Sequence, residues 1–283
     1  MAIQFVGGAT AAKVGATSGT STIPLNTGLT GGIASGVSQG DMVIAVFGTG
    51  SSADRTLSIT DGTTDYTLIG SELYQNGSSR DTNLRVAYKF MGATPDASTT
   101  FGPTGNSDDA GAMAVYVFRG VDPTTPLDVA VTTASNILSS ADPPAITPLT
   151  AGAFIVCVGA AAHSEGSSTD FTASGLVDFV TRGANDVNDV CIGIGHKDDW
   201  TSGAFDCAAF STGIFIFSDG PNSWAAMSIA LRPDPSPPSS GGKIKVWDGS
   251  AWVVKPVKVW NGSAWVEKPL KRWNGSAWVT TSY

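Results

Sequence analysis

Near its C-terminus the chain repeats one nine-residue unit three times: Lys245-Val-Trp-Asp-Gly-Ser-Ala-Trp-Val253, Lys258-Val-Trp-Asn-Gly-Ser-Ala-Trp-Val266 and Lys271-Arg-Trp-Asn-Gly-Ser-Ala-Trp-Val279. The first Trp recurs at 247, 260 and 273, a period of 13. Asp-Gly or Asn-Gly between two β-favouring runs is the strongest short-range hairpin signal, because a type I′ turn needs positive φ at both central residues. Each unit therefore reads as one β-hairpin, with Pro256 and Pro269 punctuating the joints. Strand alternation fixes the faces. A two-residue Asn-Gly turn puts Lys258, Trp260, Ser263 and Trp265 on one face and Val259, Ala264 and Val266 on the other. A four-residue Asn-Gly-Ser-Ala loop sets Trp260 directly opposite Trp265 and Lys258 opposite Glu267. Either geometry brings the two indoles of a unit together.

Upstream lies Arg232-Pro-Asp-Pro-Ser-Pro-Pro-Ser-Ser-Gly-Gly242, with four prolines within six residues. That composition suppresses regular structure and favours a stiff, extended spacer with a flexible Gly end. Before the spacer a fainter repetition runs through the chain. Gly40-Asp-Met-Val-Ile-Ala-Val-Phe-Gly48 resembles Gly152-Ala-Phe-Ile-Val-Cys-Val-Gly-Ala160. Leu84-Arg-Val-Ala-Tyr-Lys89 resembles Ile192-Gly-Ile-Gly-His-Lys197, and Ala112-Met-Ala-Val-Tyr-Val-Phe-Arg119 resembles Ala225-Ala-Met-Ser-Ile-Ala-Leu-Arg232. The order is kept at offsets of 108 to 113 residues. Duplicated strand sets of this kind make one sandwich with pseudo-twofold symmetry or two sandwiches in series; two related halves packed together is the preferred reading. The expected division is 1–125 and 126–232 for the two halves, 233–242 for the linker and 243–283 for the hairpins.

The rest of the composition agrees with strands. The 283 residues are 42% hydrophobic, enough to bury a core, but only 14% charged, with 34 Gly. No long segment has a 3.6-residue period, and the apolar runs are punctuated by Thr60-Asp-Gly-Thr-Thr64, Gln75-Asn-Gly-Ser-Ser79 and Ser218-Asp-Gly-Pro-Asn222. The expected class is all-β: a duplicated, jelly-roll-like β-sandwich body with a C-terminal array of three hairpins. Charge divides with the domains. Residues 243–283 hold seven of the sixteen Lys and Arg but two of the 24 Asp and Glu, so the tail carries about +5 and the body about −13. An acidic body repels nucleic acid, and the tail lysines read as solubilising charges that blunt strand edges.

Chemistry-bearing clusters are few. His163 and His196 are the two histidines, neither with zinc-type spacing around it, and His196 aligns with Tyr88 in the duplication as an ordinary strand position. No Gly-x-Ser-x-Gly elbow accompanies them. Acidic stretches Asn106-Ser-Asp-Asp109 and His196-Lys-Asp-Asp-Trp200 read as turn formers rather than calcium ligands or a glycosidase pair. The Asn-Gly-Ser triplets at 76, 261 and 274 match a glycosylation pattern, but the turn requirement already accounts for the two in the tail. No catalytic residue, metal or cofactor is expected. Cys157, Cys191 and Cys207 have two readings: buried free thiols, or, from their odd number, at least one intermolecular disulfide.

The tail units are similar to those at the C-termini of virion proteins of tailed bacteriophages and prophages. Gly40-Asp-Met-Val-Ile-Ala-Val46, followed by Tyr116-Val-Phe-Arg-Gly-Val-Asp122, resembles β-sandwich domains of phage tail, fibre and decoration proteins. The tail likeness covers about a seventh of the chain; the body likeness is broader and looser. It implies a particle component, with other virion proteins as partners. The N-terminus, Met1-Ala-Ile-Gln-Phe5, shows no secretory pattern, and the longest apolar run, Ala153 to Ala162, is about half a membrane span. The expectation is therefore a non-enzymatic virion protein of the particle exterior, a fibre, collar or capsid decoration, made in the host cytoplasm and bound to neither membrane nor nucleic acid. A carbohydrate-binding adhesin, with indoles stacked on host-surface glycans, is the alternative; a depolymerase lacks a nominated catalytic pair. The binding or oligomerisation residues are Trp247, Trp252, Trp260, Trp265, Trp273 and Trp278. A 41-residue, cysteine-free module with six of the eight tryptophans needs partners to cover them, which points to a homo-oligomer, a trimer by analogy with phage fibres. Limited proteolysis is expected to cut between Arg232 and Lys243 and leave a stable body; first cuts inside 40–230 would overturn this division.

Overall fold

The central apolar runs do not alternate with polar residues, so strands made from them need cover on both faces. In the computed structural model, which describes residues 2–13, 19–77, 79–137, 140–163, 171–198, 200–212, 223–235, 245–254, 256–268, 271–273 and 278–280, they receive it. The chain is all-β, with no helix among the described residues. Residues 4–119 supply β1 (Gln4–Lys13), β2 (Ser21–Pro24), β3 (Met42–Ser51), β4 (Ile59–Thr60), β5 (Thr67–Leu68), β6 (Leu73–Gln75), β7 (Asp81–Phe90), β8 (Ser98–Phe101) and β9 (Gly111–Arg119). Residues 132–231 supply β10 (Thr132–Asn136), β11 (Phe154–His163), β12 (Phe171–Thr172), β13 (Val177–Ala184), β14 (Asp189–Lys197), β15 (Ser211–Thr212) and β16 (Trp224–Leu231). Three hairpins follow: β17 (Lys245–Trp247) with β18 (Trp252–Val254), β19 (Lys258–Trp260) with β20 (Trp265–Glu267), and β21 (Lys271–Trp273) with β22 (Trp278–Thr280).

Each half of the body forms one antiparallel sheet, ordered β1-β9-β3-β7-β5 with β6 also on β7, and β10-β16-β11-β14-β13. The repeated segments occupy matching places: β9, β3 and β7 in one sheet correspond to β16, β11 and β14 in the other. The sheets pack face to face in opposite lateral order. β1 and β9 lie against β13, β9 and β3 against β14, β3 and β7 against β11, and β7 and β6 against β16. That is the arrangement a pseudo-twofold axis between duplicated halves produces.

Between the sheets lies a shared core of Met42, Ile44, Val46, Leu84, Val86, Phe118, Val156, Val158, Ile192, Ile194, Met227 and Ile229. The outer faces are covered by the connections between main strands. β2, β4 and β8 form a small sheet whose Ile23, Ile59 and Phe101 pack on Val43, Ala45, Phe47 and Val115. On the other side Ala141, Ile146, Phe171 and Phe210 pack on Ile155, Cys157 and Ala226. Double cover explains why β3 and β16 are buried at every residue, a pattern more familiar from parallel sheets than from antiparallel ones.

The sandwich is a wedge. At its narrow end the inward residues are Gly48, Ala112, Ala160, Ala162 and Ala225, and the facing strands come so close that a β-carbon at Gly48 would stand 2.5 Å from Ile192 Cγ2 and 3.2 Å from Ala160 Cβ. Backbone then bonds to backbone across the interface: Ala110 N–H donates to Asn188 O (3.0 Å) and Asn188 N–H to Asp108 O (2.8 Å). Thr82 Oγ1 donates to Ser223 O (2.7 Å) and accepts from Ala162 N–H (2.9 Å). Asp109, wholly buried, is held by Arg55 Nε (2.7 Å) and Asn188 Nδ2 (2.8 Å). At the wide end large rings fill the space: Phe5, Tyr116, Phe118 and Phe154 surround His196 at centroid distances of 4.7 to 6.3 Å.

The body's contacts run two residues beyond Arg232, where Pro233 pairs with Val121 and Asp234 N–H donates to Gly120 O (2.8 Å). Residues 2–234 form one compact unit, and the chain from Pro235 on belongs to a second. Most of the Pro/Ser/Gly linker and the Ser218–Asn222 turn lie outside the described residues. A β-carbon at Gly50 would stand 2.1 Å from Asp189 O, a backbone atom that cannot move without parting the sheets. Gly50→Ala is expected to cost about 3 kcal/mol, read as a lower midpoint in denaturant unfolding of the full chain.

Candidate functional site

The hairpins resolve the loop question left open by the sequence. Trp247 pairs with Trp252, Trp260 with Trp265 and Trp273 with Trp278, and Lys258 faces Glu267, so the loop has four residues. The two-residue type I′ turn is not formed: Gly262 has φ +102°, but Asn261 is not among the residues with positive φ. The reason is the Asn side chain. Asn261 Oδ1 accepts from Ser263 N–H (2.9 Å), Ser263 Oγ (3.0 Å) and Ala264 N–H (2.8 Å), which fixes a wider loop. Asp248 Oδ1 does the same with Ser250 and Ala251, and these bonds hold its carboxyl below the usual range. Asp61 Oδ1 in the body repeats the device with Thr63 and Thr64, so Asx-Gly-Ser/Thr-x is one loop used in both units.

The loop places the tryptophans. With Trp260 and Trp265 closing it, their rings lie 5.8 Å apart, tilted by 58°. Trp260 is 51% exposed, Trp265 65% and Trp247 53%, while Val246 and Val259 on the opposite faces are also about half exposed. The second unit is thus a two-stranded patch with the indole pair of Trp260 and Trp265 on one face and Val259 with Val266 on the other. The side chains of Trp252, Trp273 and Trp278, and the third loop at 274–277, lie outside the described residues.

Cys157, Cys191 and Cys207 carry thiols not joined in a disulfide, buried beneath the outer cover of the second sheet. Contact with the Cys207 thiol and burial push the Cys157 thiol well up, and it lies 3.8 Å from Ser228 Oγ. Their depth leaves no sulfur at the surface for another chain, so an intermolecular bridge first requires the cover to open. The side chain of His163 lies outside the described residues. No group of three or more His, Cys, Asp or Glu suited to hold a metal ion occurs among the described residues.

His196 is more than a strand position. It is 1% exposed, and its Nε2 lies 3.1 Å from Asp178 Oδ2. Asp178 reaches it because β13 shifts register between Val177 and Val180, and it takes φ +48°, the one positive φ among described non-glycine residues. The Tyr116 hydroxyl donates to the backbone carbonyls of Asp178 and Ile194, fixing the bulge from beneath. The signal available in sequence was the His for Tyr88 exchange between otherwise matching strands; Asp178 gave none, since a bulge is not written in the strand pattern.

Compared with protein-family models, curated protein sequences and solved structures, the chain matches none of them. Burial lowers the His196 pKa from the ordinary 6.5, against the opposing pull of Asp178. The folded state therefore binds fewer protons than the unfolded chain, and this part of the stability is full above pH 6.5 and lost as pH falls below it. Asp61, Asp122 and Asp128, all held below the ordinary 3.8, lose theirs only in more acid solution. Thermal unfolding midpoints are expected to drop from pH 7 toward pH 5, and His196→Phe to flatten the curve in that interval.

Proposed function

We propose that the chain is a non-enzymatic structural protein of the exterior of a bacteriophage particle, a fibre, collar or capsid decoration. The body serves as a rigid block, and the hairpin repeats dock it to other virion proteins and to further copies of itself. The observation that carries this reading is the half-exposed indole pair of Trp260 and Trp265, with Trp247 equally exposed in the preceding hairpin and the same Trp-to-Trp backbone register in all three units. Two-stranded hairpins are marginal alone, and an exposed apolar patch of this kind marks a surface that another surface covers. Burying a half-exposed indole contributes about 2 kcal/mol, so three repeats supply a binding edge without any one of them being strong. The resemblance of the repeats to phage virion units supports the location, and the body, a doubly covered sandwich with hydrogen bonds across its sheets, suits a load-bearing part.

The same tilted pair of Trp260 and Trp265 favours a second reading, an adhesin whose rings stack on host-surface sugars. One set of variants separates the two. Full-length protein carrying Trp247→Ala, Trp260→Ala and Trp273→Ala together is expected to sediment as a smaller species and to lose at least about 100-fold in incorporation into particles. Unchanged assembly with loss of signal on a glycan array would replace the docking reading with the sugar-binding one. A particle reconstruction without density for this chain would overturn the virion reading itself.

A further inference from the structure

The outer face of β11 presents Ile155, Cys157, Gly159 and Ala161 to the chain that covers the second sheet. That cover is clamped at two points. Phe205 and Ile146 exchange backbone hydrogen bonds of 2.9 Å, and Phe210 N–H donates to Ala141 O (2.8 Å). The Phe210 ring is seated over Gly159, where a β-carbon would come within 2.9 Å of it. Between the clamps run residues 206–209, outside any strand; Asp206, Ala208 and Ala209 are exposed, while Cys207 is turned inward and 3% exposed. Below it lies Cys157, two residues along β11 from Gly159, and the two thiols are in hydrogen-bonding contact. Cys207 Sγ also donates to Ala208 O (3.4 Å), and Cys157 Sγ lies 3.8 Å from Ser228 Oγ.

The third thiol stands apart. Cys191 pairs with Ala161 and Cys157 with Gly195, so the two are separated by four residues along the strand, about 13 Å, which no side-chain rotation bridges. The odd number of cysteines is thus a contacting pair and a single. Within the pair the roles differ. The neighbouring thiol and burial push Cys157 well up, which keeps it protonated and slow to attack from its place on the central strand. Cys207 lies one residue beneath the surface, and local opening of 206–209 admits a small reagent without parting the sheets. With a low-molecular-weight disulfide RSSR as oxidant, the Cys207 thiolate attacks one sulfur, a mixed disulfide forms and the first RSH leaves with the proton. Cys157 then attacks Cys207 Sγ, and its proton goes to the second departing thiolate. Two protein thiols and RSSR give one protein disulfide and two RSH.

We propose that Cys157 and Cys207 form a redox-sensitive staple, which closes to an intramolecular disulfide in an oxidising medium and pins the cover of the second sheet to its central strand β11. The inference does not rest on the particle reading, because every residue it uses lies in the body. The test holds the folded full-length protein, purified under reduction, in an equimolar mixture of oxidised and reduced glutathione. The sample is then quenched with acid, unfolded, alkylated and mapped by mass spectrometry. A Cys157–Cys207 link with Cys191 alkylated is expected. The thermal midpoint should rise by about 5 °C over that of the reduced protein, and the midpoint of Cys207→Ala should no longer respond to the redox mixture while that of Cys191→Ala still does. Alkylation of all three cysteines, glutathione retained on Cys207, or a link through Cys191 or to a second chain would overturn the pairing. A Cys157–Cys207 link that leaves the midpoint unchanged would overturn the stapling role. The map of the wild-type protein decides the pairing even where a variant does not fold.

Discussion

Strands that are apolar on both faces cannot stand at the surface of a two-layer sandwich. Wetting one face of β3 would expose Val43, Ala45 and Phe47, and wetting the other Met42, Ile44 and Val46, at a cost of several kcal/mol in either case. The fold meets this by making its connections serve as walls. Chain leaving β1, β3 and β7 crosses the outer face as β2, β4 and β8 before returning to the sheet, and the second half covers its own sheet with residues around Ala141, Phe171 and Phe210. Nearly everything else about the body follows from that double burial, including the burial of its three thiols.

The taper of the core divides structure from candidate chemistry. Where Gly and Ala line the interface, the backbones come close enough to bond directly, and Thr82, Asn188 and Asp109 are consumed in holding the two sheets together. Where Phe and Tyr line it, the sheets stand apart, and the space between rings accommodates an imidazole. In the tight end a buried ionisable group is an ion-paired strut; in the wide end His196 Nδ1 has no hydrogen-bond partner among the described residues. The same duplicated strand thus carries Tyr88 packed on Phe90 in one half and a functional candidate in the other.

The hairpin units show how a side chain overrides a backbone preference. Asn-Gly favours a two-residue turn when its backbone is left to choose, but a Ser or Thr two residues after the Asx offers its N–H and hydroxyl to the carboxamide or carboxylate oxygen. Three hydrogen bonds to Oδ1 then stabilise the wider loop, and that loop brings the flanking Trp residues into direct opposition. The presence of the identical loop at Asp61, where no Trp follows, shows that the loop sets the indole pair and not the reverse.

What was legible in the amino acids was local or periodic. The all-β class, the hairpin units and the correspondence of β3 with β11, β7 with β14 and β9 with β16 can be read from β-branched runs, turn residues and spacing, because each depends on neighbours a few positions apart or on recurrence. The Trp pairs were legible too, since both candidate loops put them together, although the loop length itself depended on hydrogen bonds that spacing does not reveal. Only the tertiary structure decided which face of each strand meets the other sheet, that both are buried, and that the sandwich tapers. It alone brought Asp178 to His196, 18 residues apart, through a register shift in β13, and set Phe5 and Phe154 on either side of the ring. Groups drawn from four separate strands meet by packing, and packing is a property of the whole chain that no single segment encodes.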